Sequence, residues 1–152
     1  MRCHYGTVRL GRSRVTKLMS NATAQAPLTV LVVDDNCDAA DTLALLFEVM
    51  GHTVRVAYDP HSGIRSAREI EPDLVFFDLD MPDLDGCDAL AELRKLAPHL
   101  HSLFVCLTGQ SSREAKQRCT AAGFHRFITK PLSNIEFDAI IELAQRHRAQ
   151  RG

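Results

Sequence analysis

Five short apolar runs, rich in β-branched residues, recur along the chain and constrain its fold more than any other feature. The runs are Leu28–Val33, Thr53–Ala57, Leu74–Phe77, Leu103–Leu107 and His125–Ile128. Each run is too short for a helix, and the most apolar runs do not alternate as strands with one face in water do. The pattern therefore predicts five strands, most of them buried on both faces of a sheet.

A segment with helical spacing of apolar residues follows each predicted strand. Asn36 and Pro60 can begin the first two helices, while Gly51, Pro98 and Gly123 can end the first, third and fourth. Buried strands that alternate with helices predict a parallel sheet covered by helices on both faces. We expect the doubly wound, flavodoxin-like (βα)5 α/β fold, with five strands in the order 2-1-3-4-5.

The first 27 residues stand apart from this pattern. They carry five basic side chains and no acidic one, and they end in a polar stretch without periodicity. We expect a disordered basic leader over residues 1–27, with Met19 as an alternative start, and one folded domain over residues 28–150. Because the formal net charge of the chain is −1, the part after residue 27 carries −6. This acidic character argues against direct DNA binding, which needs clustered basic side chains.

The sequence contains no candidate membrane segment. No apolar run approaches the roughly 18 residues of a membrane span, and residues 1–20 lack the apolar stretch of a secretory signal. We therefore expect a cytoplasmic protein that does not associate with membranes.

Polar residues stand where the predicted strands end. Asp34 and Asp35 follow the first strand, Asp78 follows the third, Thr108 follows the fourth, and Lys130 comes shortly after the fifth. Ligands of open α/β sheets bind at the carboxyl ends of the strands, where the first and third strands are neighbours. The carboxylates should therefore share one pocket and repel one another. A divalent cation with an incomplete protein cage, such as Mg²⁺, would relieve that repulsion and accept a phosphate oxygen.

The same set of residues suits phosphoryl transfer. A carboxylate can accept a phosphoryl group, Lys130 can offer it positive charge, and Thr108 can offer it a hydroxyl hydrogen bond. Each residue alone has a plainer interpretation, because an aspartate at a strand end is usually a turn or cap residue. The complete set, in this order and context, is what indicates a phosphoacceptor site.

Four segments of the chain resemble the receiver domain of bacterial response regulators, which accepts phosphate in two-component systems. They are Val32-Val33-Asp34-Asp35-Asn36, residues 76–86, Leu107-Thr108-Gly109 and residues 122–132, and the resemblance covers about residues 28–148. Short sequence segments around Asp35 and Thr108 are similar to the corresponding segments of receivers attached to hybrid histidine kinases. With no second domain evident, the resemblance implies a stand-alone phosphorelay protein that catalyses only its own phosphorylation and dephosphorylation.

Carried over residue by residue, the resemblance implies a role for each member of the site. Asp78 accepts phosphate from a phosphohistidine and becomes a 4-aspartylphosphate. Asp35 binds Mg²⁺ directly, Asp34 binds it through water, and the backbone carbonyl of Asp80 completes the metal site together with Asp78. Lys130 pairs with the phosphoryl group.

The resemblance also implies a conformational switch. Thr108 moves toward the phosphoryl group and Phe127 follows into the vacated space, which alters the face formed by the fourth helix, the fifth strand and the fifth helix. Pro131 follows a cis peptide, and Gly86 allows a sharp exit into the third helix. The implied partners are a sensor or hybrid histidine kinase or a histidine phosphotransfer protein, and a downstream protein at that face.

The chain departs from the commoner receiver pattern at a few positions. Phe127 stands where tyrosine is frequent, so the implied switch has no hydroxyl and is steric. Gly109 stands where alanine is frequent, which leaves the pocket roomier. Asp80 adds an acid beside the metal site, and in the family the side chains corresponding to Asp80 and Gln110 tune hydrolysis of the acyl phosphate.

Three alternatives remain at this point. The chain could be an interaction module that keeps the receiver fold but binds partners without phosphorylation. The segment Asp78-Leu79-Asp80 also resembles the start of haloacid-dehalogenase-type phosphatases, although Pro82 and the early acidic pair do not fit that pattern. A flavin-binding protein is disfavoured, because no phosphate-binding loop follows the first strand.

Overall fold

The computed structural model describes residues 8–12, 26–109 and 111–151 of the 152-residue chain. Within these residues the strands are β1 Val8–Arg12, β2 Thr29–Val33, β3 Thr53–Ala57, β4 Leu74–Asp78, β5 Leu103–Thr108 and β6 Arg126–Thr129. The helices are α1 Cys37–Val49, α2 Pro60–Ile70, α3 Gly86–Leu96, α4 Arg113–Ala122 and α5 Asn134–Arg151.

The strands form one sheet in the order β1-β3-β2-β4-β5-β6. The five strands from β2 to β6 pair in parallel, with Val33 of β2 opposite Ala57 on one side and Phe77 on the other. When β2 is counted as the first strand, the order of these five strands in the sheet is the predicted 2-1-3-4-5. The predicted fold class is therefore confirmed.

The strand β1 is the main difference from the sequence prediction, because it lies inside the predicted disordered leader. It pairs antiparallel with β3, from Val8 opposite Ala57 to Arg12 opposite Thr53. The edge of a sheet presents unpaired N–H and C=O groups, and an added strand satisfies them. The expectation of disorder is wrong for residues 8–12. The rest of the leader, including Met19, lies outside the described residues apart from its last two positions.

Side chains close to the helix ends explain where most helices begin and stop. The Asn36 side chain accepts a hydrogen bond of 3.1 Å from the backbone N–H of Ala39 and so caps α1. Asp59, Asp85 and Ser112 cap α2, α3 and α4 in the same way. Gly123 ends α4 with a φ of 106°, in the left-handed region that glycine adopts without strain.

Two apolar layers cover the two faces of the sheet. The α1–α5 layer contains Phe47, whose ring centroid lies 5.5 Å from that of Phe76 and 4.6 Å from that of Phe137. The α2–α4 layer lies on the opposite face and contains the buried side chains of α2, α3 and α4. Since both faces are covered, the ends of the strands are where the sheet can present polar groups to a ligand.

None of the helices in the described ranges combines the length and the apolar character needed to cross a membrane.

Replacing Phe47 by alanine should destabilise the domain by about 3–5 kcal/mol, because it removes a fully buried ring that contacts two others. Chemical denaturation followed by circular dichroism measures this loss. Leu45→Ala on the same helix is the control, since Leu45 is 54% exposed and its truncation should cost less than about 0.5 kcal/mol. Equal losses in the two variants would contradict the assignment of Phe47 to the core.

Candidate functional site

Three carboxylates meet at the carboxyl ends of β2 and β4. Asp34 directly follows β2 and Asp78 is the last residue of β4, and the parallel register of these strands brings the two residues together. Asp34 is 1% exposed and Asp78 is 4% exposed, whereas Asp35 is exposed. One carboxylate oxygen from each of the three residues lies within 4.8 Å of the others. The structure thus brings together the acidic cluster that the sequence predicts.

The ammonium group of Lys130 lies between the two buried carboxylates. Its Nζ is 2.7 Å from Oδ2 of Asp34 and 3.5 Å from Oδ1 of Asp78. The backbone N–H of Lys130 donates a 2.8 Å hydrogen bond to the carbonyl of Thr108, which continues the pairing of β5 with β6 past the end of the strands. This pairing carries Lys130 from the end of β6 to the carboxylates.

The pKa of Asp78 is raised to about 7. Burial is the largest cause, followed by the charge of Asp34 and a hydrogen bond with it, while Lys130 and the backbone N–H of Asp80 act in the opposite direction. Burial alone would lower the pKa of Lys130, but its hydrogen bond and charge interactions with Asp34 and Asp78 raise it instead. The site therefore holds more negative charge than one ammonium group compensates, and a cation would be attracted to it.

The Thr108 side chain is fully buried at the end of β5, and its hydroxyl donates a hydrogen bond of 3.3 Å to Oδ2 of Asp80. Asp80 itself is exposed, and its backbone N–H donates to Oδ1 of Asp78 at 3.3 Å. The hydroxyl is thus oriented toward the loop after β4. Phe127 is half-buried in β6, opposite Cys106, and packs against the α2–α4 layer. That both residues form a switch stays a prediction.

The peptide bond between Lys130 and Pro131 is cis, as the resemblance implies. Gly86 lies where the loop after β4 enters α3, the place at which the resemblance implies a sharp exit. Gly86 is the first residue of α3 and is not among the residues with positive φ. A Cβ atom at this position would lie 2.7 Å from the backbone carbonyl oxygen of Asp78. Gly86 is therefore needed because α3 begins in close contact with the strand end that carries Asp78.

Two further residues contribute to the site and were not predicted as site residues. The backbone N–H of Asn36 donates a 3.0 Å hydrogen bond to Oδ1 of Asp34, which helps to fix that carboxylate. Asp38 lines a cavity of about 530 Å³ together with Asp35, Asn36, Asp78, Asp80, Gly109 and Lys130. Asp38 lies in the first turn of α1, three residues after Asp35, and an acid this close to the predicted acidic pair is a sequence signal that could have identified it. Gln110 lies outside the described residues.

Comparison with known proteins adds to this geometry. The family model described as the response regulator receiver domain matches residues 30–142. The probable transcriptional regulatory protein TcrX of Mycobacterium tuberculosis is 36% identical over 107 residues, which cover 70% of this chain and 45% of TcrX. The hybrid signal transduction histidine kinase B of Dictyostelium discoideum is 26% identical over 129 residues, which cover 78% of this chain and 6% of that kinase. The chain thus spans less than half the length of these relatives.

A solved structure shows the same fold. The crystal structure of a CheY-like response regulator receiver domain protein from Methanospirillum hungatei superposes with a TM-score of 0.75 at 24% sequence identity. The match covers 84% of this chain and all of that chain. At this level of identity the likeness supports the fold, while the match to the family model supports the family.

Replacing Asp78 by asparagine should stabilise the metal-free protein at about pH 8. A folded-state pKa of about 7 exceeds the ordinary value of 3.8. Ionised Asp78 therefore costs stability, and this cost appears as the pH rises from about 4 and is complete above about 7. The asparagine variant should gain up to about 4 kcal/mol at about pH 8, because one pKa unit corresponds to about 1.4 kcal/mol, and it should gain almost nothing at about pH 4.

Thermal unfolding in a chelating buffer measures this difference. Asp138→Asn is the matched control, because Asp138 is an exposed aspartate of α5 and its replacement should change the melting temperature little at either pH. A gain for Asp78→Asn that is as large at about pH 4 as at about pH 8 would contradict the explanation by charge.

Replacing Gly86 by alanine should destabilise the domain by about 1–3 kcal/mol, because the new Cβ would press against backbone atoms that have little room to move. Gly109→Ala is the control, since a Cβ at Gly109 meets no atom within 4 Å. Urea denaturation of both variants measures the difference. Similar stability of the two variants would show that the start of α3 is not tightly packed on the Asp78 strand.

Proposed function

Since the chain belongs to the family of response regulator receiver domains, we propose that Asp78 accepts a phosphoryl group in a two-component phosphorelay. The observation that carries this proposal is the position of Asp78 itself. Its carboxylate lies at the end of β4, with Lys130 Nζ at 3.5 Å and two other carboxylates close by. A nucleophilic carboxylate beside a cation and a metal-binding cluster suits phosphoryl transfer better than acid–base catalysis.

In the proposed reaction, a carboxylate oxygen of Asp78 attacks the phosphorus of a phosphohistidine on a partner protein. The phosphorus–nitrogen bond breaks, its electron pair stays on the histidine nitrogen, and Asp78 becomes an acyl phosphate. Hydrolysis of the acyl phosphate by water returns the carboxylate. We expect no turnover of other substrates, so the protein is a signalling protein rather than an enzyme in the usual sense.

Lys130 would stabilise the transferred group. Its ammonium already lies within 3.5 Å of an Asp78 oxygen, so it can pair with the phosphoryl oxygens as negative charge moves onto Asp78. Thr108 would give up its hydrogen bond with Asp80 and donate to the phosphoryl group instead. Phe127 would then move into the space that the Thr108 side chain leaves.

The residues of the site fit a magnesium ion. Their donors are carboxylate oxygens, which Mg²⁺ prefers, and the adjoining cavity of about 530 Å³ leaves room for the water molecules that Mg²⁺ retains. Asp35 and Asp78 would hold the ion directly, Asp34 through water, and the backbone carbonyl of Asp80 would complete the set. When bound, the ion would neutralise charge on the carboxylates and on the phosphoryl oxygens.

Phosphorylation would act by shifting an equilibrium between two conformations of the face formed by α4, β6 and α5. We propose a sensor kinase, a hybrid histidine kinase or a histidine phosphotransfer protein as the phosphate donor, and a protein that docks on this face as the target. The names of the relatives support such a pairing, since one is a hybrid histidine kinase and another a probable transcriptional regulator. A cytoplasmic location and the lack of direct DNA or membrane binding are parts of the same proposal.

The experiment that tests this function is phosphorylation by acetyl phosphate, followed by intact mass measurement. Wild-type protein with Mg²⁺ should gain the mass of one phosphate, and chelation of the metal should abolish the gain. Asp78→Asn should show no gain, while the control Asp138→Asn should behave as wild type. Lys130→Ala should slow the reaction by roughly 100-fold, because it removes a cation from the developing charge.

Two results would overturn the proposal. The first is a wild-type mass that does not change, combined with an NMR spectrum that beryllofluoride and Mg²⁺ leave unmoved, which would favour an interaction module that works without phosphorylation. The second is sustained hydrolysis of phosphate monoesters, which would favour a phosphatase.

A further inference from the structure

Three cysteines from three different elements meet inside the α2–α4 layer. Cys87 lies in the first turn of α3, Cys106 in β5 and Cys119 in α4, and all three are buried. The Sγ atoms of Cys106 and Cys119 are 2.9 Å apart, and those of Cys87 and Cys119 are 3.8 Å apart. Cys37 is disulfide-bonded and belongs to α1, on the other face of the sheet. Cys119 is therefore the central member of a group of free thiols.

This group is not arranged to bind a metal ion. Among the described residues, the one set of three potential ligands whose donor atoms all lie within 4.8 Å of one another is the aspartate cluster of the functional site. Cys87 and Cys106 each approach Cys119 but do not approach each other to that distance. The geometry favours a reaction between two sulfur atoms rather than coordination by three.

A cavity adjoins Cys119, although the cysteine itself is fully buried. A cavity of about 290 Å³ lies between α4 and β6, and Cys119, Phe124 and Phe127 are among its lining residues. Among the described residues of α4, Cys119 alone is fully buried. Since few apolar side chains anchor α4, we expect small displacements of this helix to widen the path to the Cys119 sulfur.

We propose that Cys119 and Cys106 form an oxidisable pair that a peroxide converts into a disulfide bond between α4 and β5. The Cys119 thiolate attacks one peroxide oxygen, the oxygen–oxygen bond breaks, and a sulfenic acid forms as water or an alcohol leaves. The Cys106 sulfur then attacks the Cys119 sulfur and displaces water. Two thiols lose two electrons and two protons in total, and the peroxide is reduced.

The electrostatics of the pair agree with this order of events. The pKa of Cys119 is lowered chiefly by the hydrogen bond that the Cys106 thiol would donate to a Cys119 thiolate, although burial acts against it. The pKa of Cys106 is raised by the same hydrogen bond and by burial. Cys119 is thus the thiol that ionises first, and it is also the one that lines the cavity. The present sulfur separation is less than about 1 Å longer than a disulfide bond.

The disulfide would restrain the part of the protein that the proposed function uses as a switch. Cys106 lies opposite Phe127 in the sheet and two residues before Thr108 in β5. A covalent bond from Cys106 to α4 would hold this helix against the strand that carries Thr108. This consequence rests on the proposed function, whereas formation of the disulfide does not.

Peptide mapping tests the proposal on the full chain. The protein is treated with hydrogen peroxide, the remaining thiols are blocked with N-ethylmaleimide, and the chain is digested with trypsin without reduction. The three cysteines fall in separate peptides, Cys87 in 69–94, Cys106 in 96–113 and Cys119 in 119–126. The link between the last two peptides should exceed any link to the first by at least about ten-fold.

Variants of the two neighbouring cysteines sharpen the test. Cys87→Ala should leave the cross-link unchanged, and Cys106→Ala should abolish it. A dominant link between Cys87 and Cys119, or a cross-link that forms only after unfolding in urea, would overturn the proposal. The wild-type map decides the pairing by itself, so a variant that folds poorly does not leave the question open.

Phosphorylation by acetyl phosphate, measured on the same samples, separates the two proposals. A protein that accepts no phosphate before oxidation, yet forms the cross-link under peroxide, would overturn the proposed function and support the disulfide. A protein that accepts phosphate on Asp78 but keeps Cys106 and Cys119 as thiols under peroxide would support the function and overturn the disulfide.

Discussion

The central constraint in this structure is the repulsion between Asp34 and Asp78, two buried carboxylates that share the single ammonium group of Lys130. Both faces of the sheet are apolar, so such groups can stand only at the strand ends. The surrounding elements hold the two carboxylates in place. The register of β2 with β4 aligns Asp34 and Asp78, and the backbone N–H of Asn36 donates a hydrogen bond to Asp34. Gly86 lets α3 pack closely against the backbone of Asp78. This arrangement raises the pKa of Asp78, and a further bound cation would offset that effect.

Much of the fold could be predicted because local pattern and final environment agree. Runs such as Leu74–Phe77 are apolar at every position, and in the structure both of their faces are covered. The strand β1 was not predicted because it forms by pairing with the edge strand β3. The residues of β1 themselves show no pattern that indicates this pairing. The fifth predicted strand begins one residue late, at Arg126. The backbone N–H of His125 donates a hydrogen bond to the carbonyl of Phe104. The His125 ring accepts the backbone N–H of Phe104, so this N–H is not available to pair with the backbone of the last strand, which begins at Arg126.

The sequence predicts which residues form the site more fully than it predicts the hydrogen bonds and ion pairs between them. Strand ends identify Asp34, Asp78, Thr108 and Lys130, because parallel strands bring their carboxyl ends to one edge. Sequence does not show that Lys130 lies closer to Asp34 than to Asp78, nor that the Thr108 hydroxyl bonds to Asp80. These details depend on side-chain rotamers and burial, which follow from packing across the whole domain. The close contact between Gly86 and the backbone of Asp78 likewise depends on how α3 packs against β4.

The weak anchoring of α4 links the two proposals physically. A helix whose one fully buried side chain is a cysteine gains little from apolar burial, so a modest free energy can move it. Phosphorylation of Asp78 would supply that free energy through Thr108, on the strand beside α4. Oxidation would act on the same helix in the opposite sense, by tying Cys119 to Cys106 in that same strand. The displacements of α4 that we infer on phosphorylation would thus also widen the path of an oxidant to the Cys119 sulfur.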